Sequence, residues 1–354
     1  MNIVLAIDSF KGCLTTVEAE VAAEEGAKQA IKEVNVTAVP MSDGGDGMLE
    51  VFAHALHAKF VEVDVHDALM RSVRAKYAVT SDETAIIEAA QACGIALIAP
   101  EERDVEYATS FGVGELINAA WCRGCRRFIV GLGGSATSDC GIGMLSALDT
   151  AISMVPEPLN ITFASDVKNP LYGKNGAAYV YAMQKGATAE QVERLDMKAR
   201  QFASESAKLL GRDLSMAQGA GAAGGLGYAF MQYLGAKMQL GAELLLQLTG
   251  FDTILQAADY VITGEGNADC QTLMGKLPSV ILHHAKAAEV PIWLIAGSIS
   301  DRERLLAAGF DRVESINPPN ISLSEAMYPK TAKRNISTTV CRLLQEEIVR
   351  MQNQ

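Results

Sequence analysis

The stretch DYVITGEGNADCQTLMGK, residues 259–276, has the most informative pattern in the chain. The apolar run Tyr260–Ile262 predicts a strand, the next residues a glycine-flanked acidic turn, and the pair Gly275–Lys276 the start of a helix. A strand followed by a glycine-rich turn and a helix N-terminus favours phosphate binding, because exposed N–H groups and the helix dipole attract anions. Glu265 and Asp269 in that turn would repel a bare phosphate, so the functional interpretation places a divalent cation between them and the phosphates. An ordinary strand-to-helix loop with solvated acids is the alternative.

Composition narrows the class of protein. The chain has 354 residues, which favours two domains over one. Its hydrophobic content of 49% and charged content of 20% are typical of a soluble globular protein, and its net charge of −12 argues against a nucleic-acid partner. The start has no basic leader and no run approaches 18 apolar residues, so we expect no membrane partner and a cytoplasmic location. The seven scattered cysteines favour reduced thiols.

Strand-like and helical patterns alternate at both ends of the chain, whereas the middle is mixed. This pattern predicts two α/β domains. The first is a Rossmann- or flavodoxin-like parallel-sheet domain built from residues 1–62 plus 245–354, and the second is an inserted mixed α/β domain of residues 63–244. Within the first domain, we expect Ile3–Ile7 to share one sheet with Tyr260–Thr263 and Ile292–Ala296.

The section from Phe60 to Ala90 differs from both ends, because its apolar residues alternate with period two. This alternation predicts an antiparallel meander. Buried-type strands are predicted at Phe128–Val130 and Ile161–Ala164, and a long amphipathic helix at Ala189–Leu210.

Two short acidic motifs follow the first two predicted strands. Asp8, Ser9 and Lys11 come directly after the first strand, at the sheet edge where open α/β sheets bind ligands. A lysine at that edge can bind phosphate or carboxylate as a point charge. Asp43 and Asp46 stand among three glycines after the second strand and can hold a cation or accept hydrogen bonds from substrate hydroxyls. A helix cap in the first motif and a common turn in the second are the alternatives.

The segment GLGGSATSD, residues 131–139, is a second candidate anion site. Its glycines allow close backbone approach, while Ser135 and Thr137 supply hydroxyl donors before a predicted helix. The Walker A spacing is absent, and a glycine-rich turn with a Ser/Thr helix cap is the alternative. Residues 219–227 match G-x-G-x-x-G by spelling, but no strand precedes them and no acidic residue follows at the ribose distance, so a dinucleotide fold is not favoured.

Further polar residues stand at the end of the strand Ile161–Ala164 and in a later turn region. Asp166 and Asn169 end the strand, and Gln184 and Lys185 belong to the turn. All five histidines fall outside these segments, and no G-x-S-x-G elbow is present, which argues against a histidine-based triad or a zinc hydrolase.

Taken together, the motifs resemble the bacterial type-1 glycerate kinase family (glycerate 2-kinase) nearly from end to end. The family's Asp-Ser-(Phe/Tyr)-Lys, D-G-G-E-G and G-G-S-A-T-N-D-G-G motifs correspond to Asp8–Lys11, Asp43–Gly47 and Gly133–Gly141. Its D-V-x-N-P-L, Q-K-G-A, G-A-G-A-A-G-G and T-G-E-G-R-I-D-x-Q-(T/S) motifs correspond to Asp166–Leu171, Gln184–Ala187, Gly219–Gly225 and Thr263–Thr272. This many matches in the right order are highly specific.

The resemblance implies ATP-dependent phosphorylation of D-glycerate with Mg2+, and the expected product is 2-phosphoglycerate. It also implies two α/β domains with the active site between them, and it leaves a homodimer open. We assign Asp166 as the base that accepts the proton of the substrate hydroxyl, with Lys11 and Asp8 as further catalytic residues and Glu265 and Asp269 as metal ligands. The remaining expected substrate- and phosphate-binding residues are Ser9, Asp43, Ser135, Thr137, Asp139, Asn169, Gln184, Lys185, Gly264, Thr272 and Lys276. Six of the charged and polar residues, Lys11, Ser135, Lys185, Glu265, Asp269 and Lys276, are expected to converge on one cleft.

Two departures from the family pattern keep an alternative open. Asn267 and Ala268 replace the family's Arg-Ile pair, so one expected cation is missing, and the segment between Leu148 and Ile161 is short. A kinase-like protein that acts on or senses a related hydroxy acid, with altered specificity or no turnover, is therefore the second hypothesis. A nicotinamide oxidoreductase is the third, and only the misplaced G-x-G-x-x-G favours it.

Overall fold

The structure, a computed structural model, describes residues 1–41, 47–148 and 159–353. The chain forms two compact units. The first contains Met1–Ser42 and Ala242–Gln354, and the second contains Asp43–Gly241. Each unit is a β-sheet with helices, so the predicted two-domain α/β fold is confirmed.

The described strands and helices alternate along most of the chain. The strands are β1 (Asn2–Ile7), β2 (Asn35–Ala38), β3 (Lys59–His66), β4 (Ser72–Val79), β5 (Thr84–Glu88), β6 (Arg127–Gly131), β7 (Asn160–Ala164), β8 (Lys237–Gln239), β9 (Tyr260–Ala268), β10 (Ile292–Ile299) and β11 (Arg312–Ser315). The helices are α1 (Thr16–Ala30), α2 (Met48–Ala55), α3 (Ala90–Cys93), α4 (Phe111–Cys122), α5 (Ile142–Ala147), α6 (Ala189–Leu210), α7 (Leu226–Leu234), α8 (Gly241–Thr249), α9 (Phe251–Leu255), α10 (Leu277–Ala287), α11 (Arg302–Ala308), α12 (Leu323–Ala326) and α13 (Pro329–Gln352).

The first unit contains a five-stranded parallel sheet in the order β11-β10-β9-β1-β2. Ile3 of β1 lies opposite Tyr260 of β9, and Ile292 of β10 lies opposite Val261, so the predicted sharing of one sheet by the two chain ends is confirmed. Strand β1 is almost wholly buried, as expected for a parallel strand covered on both faces. Its side chains form a core with those of α1 and α13.

Helix α1 shows how local sequence defines an element of this unit. Thr15 is its N-cap, and the Thr15 hydroxyl and the Glu18 carboxylate bond each other's backbone N–H groups in a capping box. Small residues at helical spacing, among them Ala19, Ala23 and Ala27, form its buried face. Small side chains let the helix lie close to the sheet.

The second unit contains a six-stranded mixed sheet in the order β3-β4-β5-β6-β7-β8. Strands β3, β4 and β5 are antiparallel, as the period-two alternation predicts, and β5 to β8 are parallel. The carboxyl ends of β5, β6, β7 and β8 therefore lie along one edge. Large buried side chains fill the core beneath the sheet, including Phe163 of β7, which stacks on Phe230 of α7.

Two sequence-based boundaries differ from the structure. The domain boundary predicted at residue 62 falls instead at Ser42, because β3 pairs over its whole length with β4 of the second unit. The second boundary, predicted at 245, falls at Ala242. Periodicity places an alternating strand correctly but does not say which sheet it joins.

The acidic turn predicted after Ile262 also begins later than expected. Strand β9 continues through Gly264 and Glu265 to Ala268, because β10 extends alongside it and Asn267 pairs with Ser298. Glu265 is thus a strand residue, and the turn starts at Asp269. Glycines at positions 264 and 266 mimic a turn in the sequence pattern.

Thiol state and hydropathy complete the description. None of the seven cysteines forms a disulfide. Within the three described ranges, every helix is too short or too polar to cross a membrane.

Candidate functional site

The turn after β1 lies beside the glycines of β9. The Asp8 N–H donates to the Gly264 carbonyl oxygen at 2.9 Å, and the Ser9 N–H donates to the Asp8 carboxylate at 2.6 Å. A side chain built on Gly266 would lie 3.7 Å from the Phe10 Cα atom. The motif Asp8–Lys11 therefore adjoins Gly264–Gly266 at the carboxyl edge of the first sheet.

Glu265 is the central acid of this edge. Its side chain is buried, the Thr272 hydroxyl donates to Oε1 at 2.5 Å, and the Lys276 ammonium lies 3.5 Å from Oε2. Burial raises the pKa of Glu265 above its usual value, although hydrogen bonds from Thr272 and Lys276 act in the opposite direction. A cation bound at this carboxylate would favour its charged form and lower the pKa again. Three predicted residues, Glu265, Thr272 and Lys276, are thus brought together.

Asp269 has a local structural role in addition to its predicted one. It is the N-cap of the 3₁₀ turn Cys270–Leu273, where one carboxylate oxygen accepts from the Gln271 N–H at 2.7 Å. The other oxygen accepts from the Asn267 amide at 2.9 Å. The position where the family carries arginine is therefore used here to orient Asp269.

A metal cage made of protein groups alone is not present in the described residues, which contain no cluster of three or more histidine, cysteine or carboxylate ligands. Mg2+ usually binds to one or two carboxylates and completes its shell with phosphate oxygens and water. The buried Glu265, whose charged neighbour in the described residues is the half-exposed Lys276 at 3.5 Å, and Asp269 four residues later fit that type of site.

The loop after β6 lies at the carboxyl edge of the second sheet. Ser135 forms an antiparallel bridge with Gly94, and the Ala136 N–H donates to the Cys93 carbonyl oxygen at 2.8 Å. These bonds fix the loop against the segment that follows β5. Ser135 and Thr137 are buried, at 6% and 0% exposure.

Lys185 reaches the same loop from a distant part of the chain. It ends a 3₁₀ turn, Met183–Lys185, that directly follows the π-helical turn Ala178–Ala182. Its buried ammonium donates to the Ser135 hydroxyl at 3.0 Å and to the Thr137 carbonyl oxygen at 2.7 Å. Burial lowers the pKa of Lys185 to about 8. The structure thus joins three predicted residues, Ser135, Thr137 and Lys185.

The glycine-rich segment 219–225 serves close packing. A side chain at Gly221 would lie 2.4 Å from the Pro170 carbonyl oxygen, and one at Gly224 would lie 1.9 Å from the Thr137 carbonyl oxygen. Gly224 also has a φ of +65°, which favours glycine. The segment therefore supports the Thr137 loop, and its resemblance to a dinucleotide motif is coincidental.

Asp139 caps the start of α5. Its carboxylate accepts from the Ser110 N–H and hydroxyl and from the N–H groups of Gly141 and Gly143, at 2.8 to 3.1 Å. Four donors largely saturate this carboxylate, so capping, the alternative role of such a residue, is observed. Its predicted contact with substrate stays a prediction.

Asp166 and its neighbours lie at the end of β7. The Asp166 side chain is exposed, and one oxygen accepts from the Gly241 N–H at 3.3 Å. The Asn169 amide is already engaged, because it donates to the Asn175 carbonyl oxygen at 2.8 Å and accepts from the Tyr181 hydroxyl at 2.7 Å. Gln184 is exposed beside Lys185. Asp43 and Asp46 lie outside the described residues.

Sequence reasoning missed two buried acids. Glu88, the last residue of β5, accepts from the Gly47 and Leu49 N–H groups at 3.0 Å each, which anchors the start of α2. Glu20 of α1 accepts from the Ile7 N–H at 3.4 Å, and burial raises its pKa well above the usual value. An acid ending an apolar strand was a usable signal for Glu88, whereas Glu20 looks like an ordinary surface acid of an amphipathic helix.

Comparisons with known proteins extend this local description to the whole chain. The model of the glycerate kinase family matches residues 3–154 and 149–346. The chain belongs to the glycerate kinase family. It is therefore a kinase that acts on an alcohol group, and the family and enzyme class expected from the motifs are confirmed.

Individual relatives cover nearly all of the chain. It is 36% identical to a glycerate kinase of Bacillus subtilis (strain 168), with 96% of this chain and 98% of the relative covered. It is 35% identical to a glycerate 2-kinase of Escherichia coli (strain K12), again with 96% and 98% covered. A crystal structure from Salmonella typhimurium LT2, assigned as a glycerate kinase 2, matches with a TM-score of 0.86 and 35% identity over 99% of both chains.

Proposed function

We propose that the protein transfers the terminal phosphoryl group of ATP to D-glycerate in the presence of Mg2+ and releases 2-phosphoglycerate. The observation that carries this proposal is the family match along the whole chain, from residue 3 to residue 346. The two groups of polar residues at the sheet edges supply chemistry that phosphoryl transfer requires, namely acids for a metal and donors for anionic oxygens.

Residues of the first unit bind the metal and the phosphates in this proposal. Glu265 and Asp269 hold Mg2+, which, when bound, neutralises charge on the nucleotide phosphates. Lys276, beside Glu265, adds positive charge, and the Thr272 hydroxyl, which donates its proton to Glu265, orients that carboxylate. Gly264 is included on the family motif alone, because a Cβ there would lie 2.7 Å from the Ile295 carbonyl oxygen and the glycine serves packing between strands.

Residues of the second unit, together with the turn after β1, bind the substrate. Asp166 is the general base, because its exposed carboxylate at a strand end can accept the hydroxyl proton as the new bond forms. Lys185 and the hydroxyls of Ser135 and Thr137 bind anionic oxygens. The residues that complete the substrate contacts in this assignment are Asp8, Ser9, Lys11, Asp43, Asp139, Asn169 and Gln184.

The support for one active site served by both units is the resemblance to the family's motifs. We place the reaction in the cytoplasm, because seven cysteines without a disulfide favour a reducing compartment.

A coupled assay tests the activity. ADP release is followed with D-glycerate as the acceptor, with and without Mg2+, and the product is offered to enolase. Enolase consumes 2-phosphoglycerate directly, whereas 3-phosphoglycerate must first be isomerised. Mg2+-dependent ADP release and an enolase-positive product are expected. Absence of ADP release would refute the activity, and an enolase-negative product would refute the position of phosphorylation.

A second candidate substrate class, related hydroxy acids, is favoured by the Asn267 contact. Where an arginine would offer a cation to a carboxylate, Asn267 offers only an amide, and that amide is bonded to Asp269. Comparing kcat/KM for D-glycerate and tartronate separates the candidates. A higher value for tartronate would favour this second assignment.

A further inference from the structure

Lys185 has a buried ammonium that no carboxylate of the described residues contacts. Its side chain is 6% exposed, and both of its hydrogen-bond acceptors, the Ser135 hydroxyl and the Thr137 carbonyl oxygen, are neutral. No carboxylate of residues 1–41, 47–148 or 159–353 lies within 4 Å of its ammonium. Burying a cation without an opposite charge is unfavourable, so groups of this kind are candidates for ligand binding.

The titratable groups around Lys185 do not remove this imbalance. Cys93 and Asp139 act on Lys185 electrostatically. The Cys93 thiol is itself buried, which raises its pKa to about 12, so it is neutral at physiological pH. The Asp139 carboxylate accepts from Ser110 and from two N–H groups at the start of α5, makes no ion pair with Lys185, and attracts it too weakly to offset burial, since the pKa of Lys185 is lowered overall.

The ammonium and the loop that it contacts both have donors without an acceptor. An ammonium has three N–H donors, and within the described chain two of them have acceptors. The Ser138 hydroxyl oxygen is buried and has no hydrogen-bond partner among the described residues. An anion with several oxygen acceptors would match a positive charge and unsatisfied donors of this type.

We propose that an anionic oxygen group of a ligand binds at the loop Gly133–Ser138 over Lys185, and that Lys185 takes up a proton when the ligand binds. The inference rests on the proposed function, because that reaction supplies two anions, the carboxylate of D-glycerate and the phosphates of the nucleotide. Both have the required chemistry, and the experiment below separates them.

The direction of the proton transfer follows from the charge balance. Without a ligand, burial holds the pKa of Lys185 at about 8, so part of the population is neutral above that pH. A bound anion favours the charged form and raises the pKa again. Binding therefore draws a proton from solvent between the two pKa values, and ligand affinity falls as the pH rises above about 8. At pH 6.5 Lys185 is already charged, so uptake is negligible.

Isothermal titration calorimetry measures the uptake. D-Glycerate and ADP are titrated separately at pH 8.5 in two non-phosphate buffers with different enthalpies of ionisation, and again at pH 6.5. For a pKa that rises from about 8 to the ordinary value of a lysine, about 0.7 proton is expected at pH 8.5. Uptake with D-glycerate alone identifies the carboxylate as the bound anion, and uptake with ADP alone identifies a phosphate. If both ligands bind and neither brings uptake at pH 8.5, the inference is wrong.

Three variants assign the proton to this lysine. Lys185→Arg keeps a charge that does not titrate, so uptake should vanish while binding becomes independent of pH between 7 and 9. Lys185→Met should weaken binding of the identified ligand at least 10-fold, with circular dichroism confirming the fold. Lys198→Met, at an exposed lysine of the same unit, should leave the uptake unchanged. Persistence of the uptake in Lys185→Arg would contradict the assignment.

The calorimetric result and the result of the coupled assay can be distinguished from each other. Proton uptake without turnover would contradict the proposed activity and support the anion site. Turnover on D-glycerate without proton uptake would support the activity and contradict the inference.

Discussion

Each sheet of this protein has a buried ionisable side chain at its carboxyl edge, and the two side chains have opposite charges. At the first edge it is Glu265, which Lys276 approaches to 3.5 Å, and at the second it is Lys185, which contacts a neutral hydroxyl and a neutral carbonyl oxygen. Both edges arise from parallel strands followed by glycine-containing segments. The topology of the parallel strands therefore determines the edge at which a ligand can bind. The few side chains at that edge determine whether a cation or an anion is favoured there.

The same physical effect acts on the two edges with opposite sign. Burial raises the pKa of Glu265 and lowers the pKa of Lys185, because in each case the low-dielectric surroundings disfavour the charged form. A cation would relieve this cost at Glu265, and an anion would relieve it at Lys185. In the proposed function, Mg2+ would complement Glu265, and an anionic oxygen group of a ligand would complement Lys185.

The largest effect is expected at Asp166. Asp166→Asn keeps the size of the side chain and its capacity to accept from the Gly241 N–H, but it removes the base. We expect kcat to fall by about 10²-fold or more with little change in nucleotide affinity, the usual scale for a positioned base. Steady-state kinetics and nucleotide titration measure the two quantities.

Asp213→Asn is the matched control for that variant. Asp213 also lies in a turn of the second unit, where it accepts from the Ser215 N–H at 2.8 Å, and it has no assigned role in the reaction. Its kcat should match that of the wild type. Near-normal turnover in Asp166→Asn would move the role of base to Asp8 or Asp139.

The second largest effect is expected on the Mg2+ dependence of the rate, which tests the proposed metal site at the first edge. Glu265→Gln removes the charge but keeps a side chain that can bond Thr272, so the Mg2+ concentration for half-maximal rate should rise about 10- to 100-fold. Glu20→Gln is the control, because Glu20 is equally buried in the same unit and its pKa is also raised by burial. An unchanged Mg2+ dependence in Glu265→Gln would remove the contrast between the two edges.

Packing beneath the second edge gives a prediction about stability. Gly224 and Gly235 have nearly the same φ, +65° and +66°, but a Cβ at Gly224 meets the Thr137 carbonyl oxygen at 1.9 Å whereas one at Gly235 meets nothing within 4 Å. Gly235→Ala should cost about 1–2 kcal/mol from backbone strain alone. Gly224→Ala should lower the free energy of unfolding by about 1–3 kcal/mol more. Denaturant titration of both variants measures the difference, and equal losses would show that Gly224 does not limit the approach of the two backbones.

Much of the fold could be predicted from the sequence because periodicity reports burial. Strand β1, helix α6 and the antiparallel strands β3 to β5 were recognised in this way. The limits were set by tertiary pairing. Strand β9 runs through Gly264 and Gly266 because β10 supplies a partner, and β3 joins the second unit because β4 does.

The site was predicted as a set of motifs and only partly as a set of contacts. The motifs predict that Ser135, Thr137 and Lys185 belong to the site. However, no local feature of the sequence indicates that Ser135 and Lys185, which are 50 residues apart, form a hydrogen bond. The capping role of Asp139 depends on Ser110, which is 29 residues away, and the anchoring role of Glu88 depends on Gly47. Contacts at long sequence separation are set by the packed fold, which residue spacing does not encode.

The smallest effect is expected at His284, which has no assigned role in the reaction. Its ring nitrogens lie 2.6 Å from an Asp252 oxygen and 3.2 Å from a Glu243 oxygen. Burial lowers its pKa, but the two carboxylates outweigh burial and the pKa is raised overall. The folded state therefore binds the proton more tightly than the unfolded state, so this stabilisation is complete below the unfolded pKa, about 6.5, and is lost as pH rises through the folded pKa. Because both carboxylates are substantially exposed, the gain in the free energy of unfolding should stay below about 1 kcal/mol.

His284→Gln should thus destabilise the protein more at pH 6 than at pH 9 in denaturant titrations, and Asp252→Asn should reduce that pH dependence. The effect of His284→Gln on kcat should be negligible. An equal loss of stability at both pH values would show that the charge of His284 contributes nothing to the free energy of unfolding.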